Sequence, residues 1–169
     1  MKKILISACV LLTAFLLTTC NRDVNNLTGD YSYKLSGEVI ITDDDGDETH
    51  HFIHRNGQMN VLKDKSRKSG LVITMNEMNG GCYTLLAELQ GDTIVLQPHQ
   101  FTTTLLSTEG IPSIGQEGSH TMVYQISAAG NGRPNDQMLI LREHWTGNQS
   151  SDASVRLHAP EITILAEKN

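Results

Sequence analysis

Cysteine is scarce in this chain, and its distribution excludes a fold held together by disulfides. The 169 residues contain three cysteines, Cys9, Cys20 and Cys82. Cys9 and Cys20 lie within or directly after an apolar N-terminal segment, so Cys82 has no partner in the rest of the chain. A domain without disulfides is stabilised by its own hydrophobic core. Because Cys82 lies in the strand-like run 82–86, we expect it to be a small buried residue.

Basic residues are also few, which limits the classes of partner. Lys2 and Lys3 belong to the N-terminal segment, so residues 20–169 keep 11 of the 13 basic residues against 19 acidic ones, a net charge of −8. Such a domain is repelled by the phosphates of nucleic acids and by anionic lipid headgroups. Nucleic acid is therefore not an expected partner, and attachment to a membrane would have to come from a lipid.

After the N-terminal segment, no stretch has apolar residues at helical spacing, and period-two alternation dominates instead. Tyr31, Tyr33, Leu35, Val39 and Ile41 fall on one face of a first predicted strand. Asn56-Gly57 is the strongest two-residue signal for a β-hairpin. Further strands are predicted at about 49–55, 58–63, 71–77, 82–89, 93–97, 101–106, 121–128, 137–145, 154–158 and 161–166.

Ten or eleven short strands joined by short turns predict an all-β domain over residues 27–169. We expect a single antiparallel meander that closes into a β-barrel, with a β-sandwich as the alternative, because either arrangement protects the sheet edges.

Successive connections of a meander alternate between its two ends. With Asn56-Gly57 counted as a turn, the acidic run 43–48, the basic stretch 63–68 and the long loops 107–120 and 146–153 fall at one end. We expect that end to be an open mouth. The opposite end, with the turns at Asn56-Gly57 and Asn79-Gly80, is expected to be closed.

The N-terminal segment has the features of an export signal. Lys2 and Lys3 precede an apolar core of fourteen residues, Ile4–Leu17, which is too short to span a bilayer. The following Leu17-Thr18-Thr19-Cys20 resembles the lipobox of bacterial lipoproteins. The resemblance implies a signal peptide over 1–19, lipidation of Cys20, and a polar tether over 20–26. The membrane would be a partner through this lipid. In enterobacterial lipoproteins, an Asp directly after the lipidated cysteine favours retention at the inner membrane. Because Asn21 follows Cys20 here, we expect a lipid-anchored cell-envelope protein at the outer membrane.

The lipobox, the polar tether and Gly29-Asp30-Tyr31 at the opening of the first strand together resemble small envelope lipoproteins of Bacteroidetes. Those proteins carry a lipocalin-like or calycin-like β-barrel, and the resemblance covers about residues 27–167. Tyr31 stands at the position where lipocalins have tryptophan. The resemblance implies a barrel and transfers no catalytic or ligand-binding residue.

Two clusters suggest metal ions at first sight, and neither fits one. His50 and His54 share a strand face but lie roughly 13 Å apart, while His51 points the opposite way. If Gly46 took the glycine position of a calcium-binding EF-hand loop, Ile41 and Phe52 would occupy the first and last ligand positions. We therefore expect no metal and no cofactor, and we predict a solvated turn at 43–48.

Catalytic motifs are lacking as well. There is no Gly-x-Ser-x-Gly, and the adjacency of Ser119 and His120 in sequence does not establish hydrogen-bond geometry. Aromatic residues are 5% of the chain. They are either lining for an apolar or sugar pocket or filling for the barrel interior. The candidate ligand-binding residues are Tyr31, Tyr33, Phe52, Tyr124 and Trp145.

These observations predict a non-enzymatic lipid-anchored envelope lipoprotein. Its barrel is expected to bind a small hydrophobic or saccharide ligand or a partner protein of the envelope. Two alternatives stay open: an accessory subunit of a surface assembly without a ligand pocket, and a hydrolase.

Overall fold

The chain folds as one closed antiparallel β-barrel. The structure is a computed structural model that describes residues 24–78, 81–106 and 121–169. Each strand pairs with the next in sequence, and the last pairs with the first. The predicted all-β meander and barrel are confirmed, and the β-sandwich alternative is wrong. The elements are α1 (Val24–Leu27), β1 (Gly29–Thr42), β2 (Glu48–Lys63), β3 (Gly70–Glu77), β4 (Cys82–Gln90), β5 (Thr93–Leu106), β6 (Thr121–Asn135), β7 (Met138–Gln149) and β8 (Arg156–Lys168).

The strands are fewer and longer than predicted, because β2, β5 and β8 each combine two predicted strands. In β5 and β8 the predicted breaks coincide with Pro98 and Pro160. The β5–β6 register shifts between Leu96 and His99, and the β7–β8 register shifts beside Pro160. Proline has no N–H for the ladder and is accommodated at β-bulges. The prolines therefore bend these strands without ending them.

Asn56-Gly57 lies in the middle of β2, so the predicted hairpin at this position is wrong. Gly57 pairs with Tyr33 of β1 on one side and with Glu77 of β3 on the other. A Cβ atom on Gly57 would lie 2.2 Å from the carbonyl oxygen of Asn76 and 2.6 Å from the Tyr33 ring. Glycine is needed here because the Tyr33 ring packs over it, not because the chain turns.

The continuity of β2 sets which connections share an end of the barrel. At the loop end β1, β3, β5 and β7 finish and β2, β4, β6 and β8 begin. The opposite end, called the helix end, carries α1 and the connections β2–β3, β4–β5 and β6–β7.

Two predictions about the ends have different outcomes. The acidic turn 43–47 and the connection 150–155 share the loop end, as predicted. The basic stretch 63–68 lies at the helix end instead, so its predicted place beside the acidic turn is wrong. Asn79-Gly80 and 107–120 lie outside the described residues.

Aspartate side chains organise three of the connections. Asp43, Asp64 and Asp152 each accept a hydrogen bond from the backbone N–H two residues later, at 3.1, 2.8 and 2.9 Å. This arrangement is typical of Asx-turns. At Asp64, hydrogen bonds from Ser66 and from the Arg67 guanidinium hold the pKa at about 2. The acidic run 43–48 is therefore a turn, as predicted.

The barrel interior is filled by alternate residues of every strand. The five β1 residues predicted to share a face are all buried. Val24 and Leu27 of α1 are buried too, so a packed turn lies within the stretch expected to be a tether, and the Tyr31 hydroxyl donates to the Leu27 carbonyl at 2.8 Å. Cys82 is exposed, which corrects its predicted burial, because it falls on the outer face of β4.

Substitutions at Asn56 and Gly57 distinguish close packing from a turn. Gly57→Val should lower the free energy of unfolding by about 1–3 kcal/mol, because the new side chain overlaps the Tyr33 ring and the β3 backbone. Asn56→Ala, on the exposed face, should change it by less than about 0.5 kcal/mol. Urea denaturation of both variants is the measurement, and similar losses at both positions would contradict the packing account.

Candidate binding site

The structure separates the five aromatic residues predicted to bind a ligand. Tyr31, Tyr33, Tyr124 and Trp145 point into the barrel and are at most 2% exposed. Phe52 is 68% exposed on the outer face, opposite Glu38. Phe52 therefore does not line the interior with the other four, whose side chains fill the core.

An ion pair that the sequence did not predict crosses the interior near the loop end. Arg55 Nη1 lies 3.0 and 3.1 Å from the two carboxylate oxygens of Glu77 and 2.5 Å from Thr103 Oγ1. Its Nη2 donates to the Thr104 carbonyl at 2.7 Å. These contacts connect β5 with β2 and β3, neither of which is its neighbour in the sheet. Removing either charge would leave the other largely buried and uncompensated.

A second buried group is the carboxyl of Glu143, which has no solvent exposure. Trp145 Nε1 donates to its Oε2 at 2.8 Å. Its Oε1 lies 3.6 Å from His99 Nε2, within ion-pair range but too far for a hydrogen bond. Burial raises the pKa of Glu143, and the Trp145 hydrogen bond and His99 offset part of that rise.

The other ring nitrogen of His99 determines what faces Glu143. His99 Nδ1 lies 3.1 Å from the Gln97 carbonyl oxygen, which can only accept, so Nδ1 donates. A neutral His99 therefore turns an unprotonated Nε2 toward Glu143 Oε1. Two acceptors facing each other in a low-dielectric interior repel, and a proton on the Glu143 carboxyl, which burial favours, removes that repulsion.

Aromatic rings and phenol hydroxyls surround this pair. Tyr83 stacks on Phe101 with ring centroids 4.4 Å apart, and Phe101 meets Trp145 edge-on at 5.1 Å. The hydroxyls of Tyr33 and Tyr83 are buried without a hydrogen-bond partner in the described part of the chain. Burial first, and then Glu77 for Tyr33 and Glu143 for Tyr83, raise the pKa of each phenol. The interior is thus polar in places but densely filled.

The alternation of residues in β7 indicates from the sequence that Glu143 points inward. The alternation in β5 gives no such indication for His99. Glu143 falls in the same alternation as buried Leu139, Leu141 and Trp145, so a charged residue occupies an inward position. In β5, alternation from Leu96 would turn His99 outward. The bulge at Pro98 adds one residue and turns His99 inward.

A depression on the outer face of the barrel, near the loop end, offers space for a ligand. Its volume is about 1010 Å³, and it runs across β5, β6, β7 and β8 to the ends of β1 and β2. None of the five predicted aromatic residues lines it. Its lining is rich in amides and hydroxyls: Thr42, Glu48, Gln100, Phe101, Thr102, Gln125, Ile126, Ser127, Thr146, Gly147, Asn148, Gln149, Ser150, Ala153, Arg156, Leu157 and His158.

The connection between β7 and β8 forms one wall of this depression. The Ser150 backbone N–H donates to the Val123 carbonyl at 2.7 Å, which holds the connection against β6. The Asn148 side-chain amide donates to the Ala153 carbonyl, also at 2.7 Å. The wall is therefore fixed by hydrogen bonds before any ligand arrives, which reduces the ordering cost of binding.

Across 24–78, 81–106 and 121–169, no three His, Cys, Asp or Glu side chains are grouped closely enough to hold a metal ion. Within those same ranges, no helix combines the length and apolar character needed to cross a bilayer.

Comparisons with known proteins identify no family for this chain. No protein-family model matches the sequence, and no curated protein matches it. Among solved structures, the chain is similar to a redesigned β-barrel with 13% identity and a TM-score of 0.42, over 89% of this chain and 97% of that one. At that similarity the comparison carries no argument about function.

The buried carboxyl of Glu143 predicts a dependence of stability on pH. An unfolded glutamate titrates near pH 4.5, and the folded value is higher. Between the two values the folded state binds more protons, so the free energy of unfolding falls as the pH rises. Glu143→Gln keeps the acceptor for Trp145, can donate to His99, and carries no charge.

We therefore expect Glu143→Gln and the wild type to be similarly stable below about pH 4.5. The variant should become the more stable protein as the pH rises through the folded pKa of Glu143, with no further gain above it. Urea denaturation across this pH range tests the expectation, with exposed Glu167→Gln as the control. A wild type more stable than Glu143→Gln at neutral pH would contradict it.

Proposed function

We propose that this chain is a lipid-anchored lipoprotein of the cell envelope, of the kind found in Bacteroidetes. In this proposal Cys20 carries the lipid, the outer membrane holds the protein, and the barrel binds a ligand without catalysis. Positively charged Lys2 and Lys3, the apolar run Ile4–Leu17 and the lipobox-like residues before Cys20 support the anchor.

The outer depression is the observation that carries ligand binding. Its volume of about 1010 Å³ is at the upper limit of small-molecule sites, which run from roughly 300 to 1,000 Å³. The interior favours such a function less, because Tyr31, Tyr124 and Trp145 fill it. The proposed site is therefore on the outside of the barrel, and it differs from the interior pocket expected from the aromatic residues.

The position of α1 supports this choice of site. Val24 is buried at the helix end, and Cys20 precedes it by four residues. A chain of four residues spans at most about 14 Å. A lipid on Cys20 would hold the helix end close to the membrane. The loop end and the depression would then face away from the membrane, where a ligand has access.

A specific observation favours the alternative of an accessory subunit. Leu62, Val72 and Leu86 lie directly opposite one another on the outer face of β2, β3 and β4. Leu62 and Leu86 are 54% and 41% exposed. An apolar row of this kind suits a protein contact. The concave, polar depression favours ligand binding over this alternative. The double variant Leu62→Ser with Leu86→Ser tests the accessory-subunit alternative, which predicts that a co-purified partner is lost.

Native mass spectrometry of the lipoprotein recovered from its own cells tests ligand binding. We expect a bound envelope molecule, together with slower hydrogen exchange in residues 122–127 and 146–149 when that molecule is present. A protein that carries no ligand and gains no protection from any envelope fraction would contradict the proposed site.

Cys20→Ser tests the anchor. We expect the variant to leave the membrane fraction after a salt wash, because the acidic domain has no electrostatic attraction to anionic lipids. Fractionation and immunoblotting measure this, with Cys82→Ser as the matched control that should stay bound. Retention of the Cys20 variant in washed membranes would contradict lipid anchoring through this residue.

A further inference from the structure

We infer that the depression binds a linear, uncharged oligosaccharide that lies across the strands; this inference rests on the proposed function and specifies its ligand. Strand pairing arranges the outward side chains of the depression in two parallel rows. Row one is Gln100, Ser127, Thr146 and His158, each directly opposite the next. Row two is Thr102, Gln125, Asn148, Arg156 and Thr42, followed by Glu48 of β2.

The chemistry of the rows matches sugar hydroxyls. Amide and hydroxyl side chains both donate and accept hydrogen bonds, as a sugar hydroxyl does. Ser127, Thr146 and Gln125 are exposed, and their side chains make no hydrogen bond to another described residue. Formal charges lie only at one end of row two, where Arg156 and Glu48 flank Thr42. The rows thus offer many neutral contacts and no cluster of positive charge for a polyanion.

The spacing of the rows matches a chain of sugars. Neighbouring strands lie about 4.8 Å apart. Row two therefore places side chains at this step on β5, β6, β7, β8 and β1, and row one does so on β5 to β8. The step between strands is close to the advance of one pyranose unit along an extended glycan. The two rows are separated by about 6.7 Å, the repeat of alternate residues along a strand. A chain lying across the strands could therefore meet one side chain of each row at each unit.

Other extended ligands fit less well. A peptide strand gains its affinity by adding to a free sheet edge, whereas the two rows lie on the outer face of β5, β6, β7, β8 and β1, each of which is paired with the next. A flat aromatic ligand would need an exposed ring for stacking. Among the lining residues the phenyl ring of Phe101 points inward, is 9% exposed and stacks on Tyr83, so the exposed ring of the lining is the small imidazole of His158. Hydrogen bonding by the two rows is the recognition that the depression supplies.

The test uses the Cys20→Ser protein and uncharged hexasaccharides, both β-linked and α-linked, measured by isothermal titration calorimetry. We expect one of these series to bind, with affinity rising from monosaccharide to hexasaccharide. Gln125→Ala with Ser127→Ala removes one side chain from each row and should weaken binding by about tenfold or more. Thr74→Ala with Thr84→Ala, an exposed polar pair on β3 and β4, is the matched control and should bind normally.

Two results would overturn the inference. One is the failure of every uncharged hexasaccharide to bind at millimolar concentration, with folding of the protein verified by circular dichroism. The other is binding that the Gln125/Ser127 variant retains in full. If a different envelope molecule binds and the same variant weakens it, the oligosaccharide is wrong and the proposed binding site stands. If no envelope molecule binds at all, both are wrong.

Discussion

The antiparallel pairing of β1 with β8 is the constraint on which the other features of this barrel depend. It removes the free edges that an open meander would expose, and it fixes which residues of every strand point inward. A closed sheet also needs tilted, staggered strands that curve around the axis. Long strands meet that requirement. β5 and β8 continue through bulges at Pro98 and Pro160, and β2 continues through Gly57 without a register shift.

Closure also determines how the polar interior is arranged. A charged side chain that points into the barrel loses most of its contact with water, which costs free energy unless a partner compensates the charge. Arg55 and Glu77 meet this cost by pairing with each other and with Thr103. Glu143 is compensated by the hydrogen bond that it accepts from Trp145 and by the nearby ring of His99. The bulge at Pro98 is part of the second arrangement, because it turns His99 toward the carboxyl.

The sequence predicted well what depends on local alternation. The inward face of β1 and the turn at 43–48 follow from residue types at neighbouring positions, and both are confirmed. The predicted hairpin at Asn56-Gly57 was wrong. The same dipeptide suits a tight turn and a strand position over which an aromatic ring packs, so the sequence alone does not distinguish the two. Phe52 was assigned to the same pocket as Tyr33 by residue type, although Phe52 points out of the barrel and Tyr33 points into it.

The outer depression lay beyond sequence reasoning for a different reason. Gln100, Ser127, Thr146 and His158 become neighbours only through three separate strand registers, and the bulge in β5 changes one of them. No local pattern specifies a register between strands so far apart in sequence. The barrel type was therefore accessible from composition and periodicity, whereas the surface that it presents required the pairing itself.

The two ends of the described domain meet at the helix end, where the Asn169 N–H donates to the Asp30 carbonyl at 3.0 Å and Lys168 Nζ donates to the Asn26 carbonyl at 3.1 Å. A short linker could join them, and the chain could be opened at exposed Gly46 instead. Such a circular permutant would begin at the loop end. The same barrel, attached to a surface through its N-terminus, would then be inverted, with its depression turned toward whatever holds it.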